Sequence, residues 1–130
     1  MEIFEFVKLR ISAYSLEIET GRYNKIIISD RLCKCCDLHV VEDIEHYINI
    51  CPLYNTIRFN FYNQIYYRTN NEINLFDSSK YSSFQICSFL IGLQLYELYN
   101  NDNFILQLIC KYLLDIRQSR IKKLDFISNF

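Results

Sequence analysis

Glycine and proline are nearly missing from this sequence, with two of the first and one of the second in 130 residues. A loop-rich all-β fold needs both for its many tight turns, so that class is excluded and a mainly α fold is expected. An excess of charge of one sign is missing too, since 14 basic and 15 acidic side chains leave a formal net charge of −1. That excludes the simplest nucleic-acid binder, a uniformly basic domain. Long apolar runs are also lacking. The most apolar window, Phe84 to Tyr99, contains Gln85, Gln94 and Glu97, and it is shorter than the roughly 20 residues of a membrane span. The opening residues, MEIFEFVKLR, carry two glutamates and no uninterrupted apolar stretch of the kind a secretory signal has. The expectation is an intracellular protein, nuclear or cytoplasmic, with no membrane partner.

Apolar material is plentiful. Hydrophobic residues make up 51% of the chain and charged residues 22%. A chain of this length buries roughly two-thirds of its unfolded surface, enough for a core, and one domain over residues 1–130 is expected. Phe4, Val7, Ile11, Tyr14 and Ile18 recur at spacings of three or four. They predict a helix over about 4–19, stopped by Thr20-Gly21. Ile26, Ile27 and Ile28 predict a short extended piece, so residues 1–30 read as an N-terminal helix followed by an extended segment. Residues 31–52 read as a small irregular knuckle inserted between helices, and residues 53–130 as a helical part. Glu42, Asp43 and Glu45 place negative charge at the start of a short helix within the knuckle. Pro52 suits the first position of a helix over about 52–67, with Tyr54, Ile57, Phe61 and Ile65 as its buried stripe. Asn70 to Lys80 reads as a loop. Helices follow at about 83–99 and 103–127, separated by Asn100-Asn101.

Six cysteines in a chain without a secretory signal point to metal ligands or plain thiols rather than disulfides. Four candidate ligands run in order, with two, nine and four residues between them: Cys33, Cys36, His46 and Cys51. Zinc takes four ligands tetrahedrally and favours thiolate sulfur and imidazole nitrogen in structural sites. On an ideal helix His46 and Cys51 stand about 140° apart, too far round to share an ion. Pro52 resolves this by forcing Cys51 out of the α conformation, so that it can swing back toward His46. There it also neighbours the N-terminus of the next helix, where a thiolate is favoured. Cys33, Cys36, His46 and Cys51 are therefore the expected ligands of one structural zinc ion. The plainer alternative is a set of ordinary buried thiols and a surface histidine. Cys35 is either a spare thiol facing away or a substitute for one of its neighbours, and His39 is either solvent-exposed or a substitute for His46. Cys87 and Cys110 lie in apolar helical stretches and read as core. Four protein ligands leave no open coordination position, and no HExxH, glycine-rich phosphate loop or GxSxG occurs. No enzyme and no small-molecule substrate is expected.

These residues resemble a family. The run LRISAYSLEIETGRYN, then RLCKCC, then VEDIEHYINICPLYNTIR is similar to the C-terminal zinc-knuckle region of non-LTR (LINE-type) retrotransposon reverse transcriptases. The resemblance rests on a Gly-Arg-Tyr turn (Gly21, Arg22, Tyr23) and on Arg31 before the Cys33–Cys36 pair. It continues with the acidic run Glu42, Asp43, Glu45 before His46, and with Cys51-Pro52, Tyr54 and Arg58. It covers about residues 8–58, while FILQLICKYLLDIRQSR resembles the family's closing helix more loosely. What it implies is a CCHC zinc module that helps a larger polyprotein hold RNA template or target DNA. The catalytic aspartates of that polyprotein would lie outside this chain.

Charge by segment says where such a module could touch phosphate. Residues 31–68 hold four basic and four acidic side chains, whereas residues 111–123 hold Lys111, Arg117, Arg120, Lys122 and Lys123 against Asp115 alone. A solvated helix face is the ordinary explanation of such a run. The functional one is a stripe contacting the nucleic-acid backbone, helped near the knuckle by Arg31 and Lys34, with Arg10 and Arg22 behind them. Tyr23, Tyr47 and Tyr54 are candidates to stack on unpaired bases, although helical spacing also makes Tyr47 and Tyr54 candidates for the core. Two functions follow. One is a zinc-binding, RNA- or DNA-binding accessory module tethered to the rest of a reverse transcriptase. The other is a zinc-stabilised helical packing or protein-interaction domain.

Overall fold

The computed structural model describes residues 16–129, and among them the chain is mainly helical. The α-helices are α1 (Glu17–Tyr23), α2 (Asn55–Arg68), α3 (Ser83–Ile91), α4 (Gln94–Leu98) and α5 (Asn103–Ser128). Between α1 and α2 lie a 3-10 turn at Ile28–Asp30, a π-helical turn at His46–Ile50 and a second 3-10 turn at Pro52–Tyr54. No strand forms among the described residues, only an isolated antiparallel bridge between Leu32 and Val41. No described helix is long and apolar enough to cross a membrane.

With so little glycine, asparagine makes the sharp bends. Asn70 and Asn71 end α2, and Asn100 and Asn101 separate α4 from α5; all four take positive φ, between 53° and 67°. Asparagine tolerates this left-handed conformation better than other side chains do, because its short amide can hydrogen-bond locally. Helix starts are marked as strongly. Ser82 and Gln85 form a reciprocal capping box on α3, and the Asp102 carboxylate accepts the amide N–H groups of Phe104 and Ile105 to begin α5.

The core lies where α2 packs along α5, with the π turn and α3 closing its sides. Phe61 of α2 stacks on Tyr112 of α5, with ring centroids 4.5 Å apart and planes inclined by 12°. Around them Ile65, Leu90, Leu95, Ile105, Ile109, Leu113 and Ile116 are fully or almost fully buried. Cys87 and Cys110 are buried with these apolar residues, as their sequence context suggests.

Three local expectations need correction, and a fourth falls largely outside what is described. Most of the helix expected over about 4–19 lies outside the described residues; within them, helix covers Glu17–Tyr23. Gly21 does not stop α1 but sits inside it, because the stem of Arg31 crosses there. A Cβ on Gly21 would stand 2.4 Å from Arg31 Cγ. Residues Ile26 to Ile28 do not form a purely extended piece, since the 3-10 turn begins at Ile28. The helix expected over 83–99 is two helices. Gly92 ends α3, and Leu93 follows with φ of 59°, a left-handed residue that redirects the chain into α4.

Candidate metal centre

The knuckle is built by a short hairpin. The Cys33 N–H donates to the Val40 carbonyl at 2.8 Å and the Glu42 N–H to the Arg31 carbonyl at 3.0 Å, closing the loop of residues 33–40. His39, next to the closing residue Val40, is exposed and has φ of 56°. The loop presents Cys33 and Cys36 to one side. Opposite them the turn after Asp43 presents His46 and Cys51. Asp43 starts that turn by accepting the His46 N–H on its side chain at 2.8 Å and the Tyr47 N–H on its carbonyl at 3.0 Å.

Cys51 meets His46 by a route that differs in part from the expected one. Cys51 does leave the helical conformation before Pro52, with φ of −55° and ψ of 123°. The turn before it, however, is π-helical, and the Cys51 N–H donates to the His46 carbonyl at 2.8 Å. A bond from i to i+5 widens the turn to about 4.4 residues, so residues five apart stand about 50° apart instead of about 140°. Single π turns of this kind are frequent at functional sites.

The four ligand atoms of Cys33, Cys36, His46 and Cys51 all lie within 4.8 Å of one another. Cys33 Sγ is 4.0 Å from Cys51 Sγ, and Cys36 Sγ is 3.5 Å from His46 Nε2. Zinc with Zn–S near 2.3 Å and Zn–N near 2.0–2.1 Å sets tetrahedral S–S and S–N separations of about 3.8 and 3.6 Å. The donor set and its spacing therefore fit a metal ion such as zinc. Three of the four residues are buried and Cys36 is half-buried, as in a closed site.

Without metal the sulfurs share protons. Cys33 is held far below the ordinary thiol range, chiefly because the thiols of Cys35 and Cys51 donate to it. Cys35 and Cys51 are pushed up by the same bonds and by burial, and Cys36 is pushed up mainly by burial. The Cys35 backbone N–H also points at Cys33 Sγ, at 3.4 Å. Cys35 itself is buried and belongs to a different grouping, with Cys33 and Glu42, on the far side of Cys33.

Glu42 joins the knuckle to the rest of the protein. Its carboxylate accepts both Arg120 Nε at 3.0 Å and Arg120 Nη2 at 2.7 Å, and the α1 amide N–H of Glu17 at 2.8 Å. Cys33 Sγ lies 3.8 Å from Glu42 Oε2. Glu42 is 1% exposed and Arg120 6%. The sequence contained no sign of this pair: its members are 78 residues apart, and Glu42 reads as an ordinary helix-start charge.

That pairing also takes Arg120 out of the expected basic stripe, as a guanidinium buried on a carboxylate cannot reach phosphate. Arg31 is likewise committed, its Nε donating to the Ile26 carbonyl and its Nη1 to the Ile18 carbonyl, both at 2.9 Å. Lys34 is exposed but lies 3.3 Å from Glu17, and Lys111 pairs with Asp115 at 2.9 Å. Lys122 is exposed and Lys123 half-buried with its ammonium over the Phe126 ring. On the continuous helix α5, Lys111 and Lys122 fall within about 20° of each other, whereas Arg117 and Lys123 diverge by about 120° to either side. The basic residues are not gathered on one face. Of the three tyrosines considered for stacking, Tyr23 is exposed while Tyr47 and Tyr54 are core, packed edge to face with centroids 5.6 Å apart. No protein-family model matches the chain, and no curated protein or solved structure is significantly similar to it.

Proposed function

We propose that this chain is a zinc-stapled helical module, with Cys33, Cys36, His46 and Cys51 holding one structural zinc ion. The observation that carries this reading is the convergence of three sulfurs and one imidazole nitrogen within 4.8 Å of one another. Four protein ligands complete the coordination shell, which fits a structural role and an accessory rather than catalytic protein. The motif resemblance supports the finer reading, a C-terminal module working while attached to a LINE-type reverse transcriptase. Protein purified without chelator is expected to contain about one zinc per chain by elemental analysis. The Cys51→Ala variant should retain much less, and wild-type protein without stoichiometric metal would refute the reading.

Contact with RNA or DNA is the finer part of the proposal, and it is weak. With Arg120 and Arg31 engaged internally, two or three phosphate contacts remain within reach of the exposed cations. Single-strand binding should then show a slope of log K on log salt of about −1.4 to −2.1. Replacing Lys122 and Lys123 together with Gln should flatten that slope by about 1.4 units while leaving zinc content intact. The competing reading, a packing domain with no nucleic-acid role, is favoured by the scattering of basic residues around α5. Absence of binding to RNA and DNA even at low salt would decide for it.

A further inference from the structure

Arg58 is a buried cation whose charge nothing described balances. It projects from α2 and is 7% exposed. Its three donors go to neutral acceptors: Nε to the Tyr112 hydroxyl at 3.3 Å, Nη1 to Asn55 Oδ1 at 3.0 Å, and Nη2 to the Cys51 carbonyl at 3.2 Å. Among the described residues no carboxylate forms an ion pair with it. The other buried arginine, Arg120, has Glu42. An uncompensated buried charge is among the costliest arrangements a protein can hold.

The metal centre has the opposite imbalance. A zinc ion with three thiolates and a neutral imidazole carries a formal charge of −1. Arg120 and Glu42 beside Cys33 cancel each other and leave that charge standing. Arg58 meets the centre at the peptide carbonyl of the ligand Cys51, to which its Nη2 donates at 3.2 Å. It holds the π turn as well: Tyr112, which accepts from Arg58, donates its hydroxyl hydrogen to the Ile48 carbonyl within that turn.

We propose that Arg58 is the counter-ion of the metal centre. Its guanidinium neutralises the three-thiolate site, and through Cys51 and Tyr112 it fixes the turn that brings Cys51 to His46. The inference rests on the zinc reading above and deepens it. The zinc-loaded centre then carries a formal charge that Arg58 balances.

The test separates charge from hydrogen bonding. Arg58→Gln keeps a donor for the Cys51 carbonyl but removes the charge, whereas Arg58→Lys keeps the charge but loses the planar fork. Zinc affinity is read by competition with a chromophoric chelator, and melting is followed for loaded and metal-free protein. Arg58→Gln should bind zinc 10- to 100-fold more weakly, the usual loss for an outer partner of a metal ligand. Its zinc-loaded form should lose more stability relative to wild type than its metal-free form does. Arg58→Lys should stay within several-fold of wild type. Equal affinity in Arg58→Gln and wild type, or a weaker Arg58→Lys than Arg58→Gln, would overturn the counter-ion role. A second measurement holds if Arg58→Gln folds poorly: Arg58→Met also removes the charge, and in a Cys36→His background, where the site is formally neutral, Arg58→Met and wild-type Arg58 should bind zinc alike. A large Arg58 dependence surviving there would also overturn the role. Wild-type protein that takes up no zinc would instead sink the zinc reading itself.

Discussion

Between Arg31 and Cys51 the chain makes one isolated backbone bridge and one π turn, whereas from Asn55 onward it makes helices whose apolar faces bury one another. The second region satisfies its own backbone and fills its own core, with Phe61 on Tyr112 and isoleucines and leucines around them. The first has few apolar side chains facing inward, and three of its buried groups are thiols. Apart from Tyr47 and Ile48, its interior is made of ligand atoms, which are joined to one another only by weak sulfur hydrogen bonds unless an ion binds them. The two regions are joined by polar links: Glu42 to Arg120, the Cys51 carbonyl to Arg58, the Ile48 carbonyl to Tyr112, and Asn49 to Ser83 and Tyr62. One region is stable by packing, and the other by coordination plus anchoring.

Removing the metal should break that contrast most severely. Structural zinc contributes roughly 10–16 kcal/mol of apparent binding free energy in small peptides, more than the typical 5–15 kcal/mol net stability of a whole domain. Here the loss should be local, because α2 and α5 retain their own core. Cys36→Ser, or chelation of the wild type, is expected to expose the amides of about residues 31–51 to hydrogen exchange. The amides in the middle of α5 should stay protected. Protection of both regions in chelated protein would mean that the knuckle folds without metal.

The Glu42–Arg120 pair is expected to give the next largest effect, because it couples the two regions. Breaking a buried pair from one side typically costs about 3–5 kcal/mol, since the remaining charge is left uncompensated. Arg120→Met alone should therefore lower the melting temperature by many degrees. Glu42→Leu combined with Arg120→Met should recover much of that loss. If the double variant is as unstable as the single one, the α1 amide that Glu42 accepts matters more than the pair does.

How much of this was legible differs between the regions. The ligand set could be read because CxxC spacing, an acidic helix start and a pre-proline cysteine are all local. The α5 boundaries were legible from periodicity, and the Asn100-Asn101 break from asparagine's tolerance of left-handed backbone. The π turn was not, because an ideal helix is the only geometry that spacing alone implies. The break at Gly92-Leu93 was hidden because a leucine occupies the left-handed position where glycine is usual. Arg120 and Glu42 were misread for a different reason. A charged residue looks solvated until its partner is known, and this partner lies 78 residues away.

A smaller effect tests the helical region by itself. Asp102 caps α5 and receives both Nε and Nη2 of Arg68, at 3.0 and 3.2 Å. The Arg68 bonds come first in holding its carboxyl below the usual aspartate range. A carboxyl depressed in the folded state adds stability that is present above its unfolded value, about 3.9. That stability is lost as pH falls through the lower, folded value. The group is largely solvated, so the pH effect should be slight. Asp102→Ala should cost about 1 kcal/mol at neutral pH through the lost cap, and the gap to wild type should narrow slightly as pH falls below the unfolded value of about 3.9. Parallel curves down to pH 2 would show that the charge of Asp102 contributes nothing.

The smallest effect belongs to the boundary between the two regions, where Tyr47 and Tyr54 pack against each other. Both hydroxyls are buried without a hydrogen-bond partner, and burial pushes the ionisation of both well above the usual phenol range. A buried donor left unmade costs roughly 1–3 kcal/mol relative to one that is satisfied. Deleting such a hydroxyl removes the penalty and keeps the ring contact that fills the core. Tyr54→Phe should therefore leave the melting temperature unchanged or raise it by a few degrees, with zinc content the same. The same substitution at Tyr112 should do the reverse, because that hydroxyl links Arg58 to the Ile48 carbonyl. A clear loss of stability in Tyr54→Phe would mean that its hydroxyl is satisfied after all, by a bound water or by a sulfur of the cluster. The tyrosine pair would then be part of the metal centre's support rather than plain packing between coordination and core.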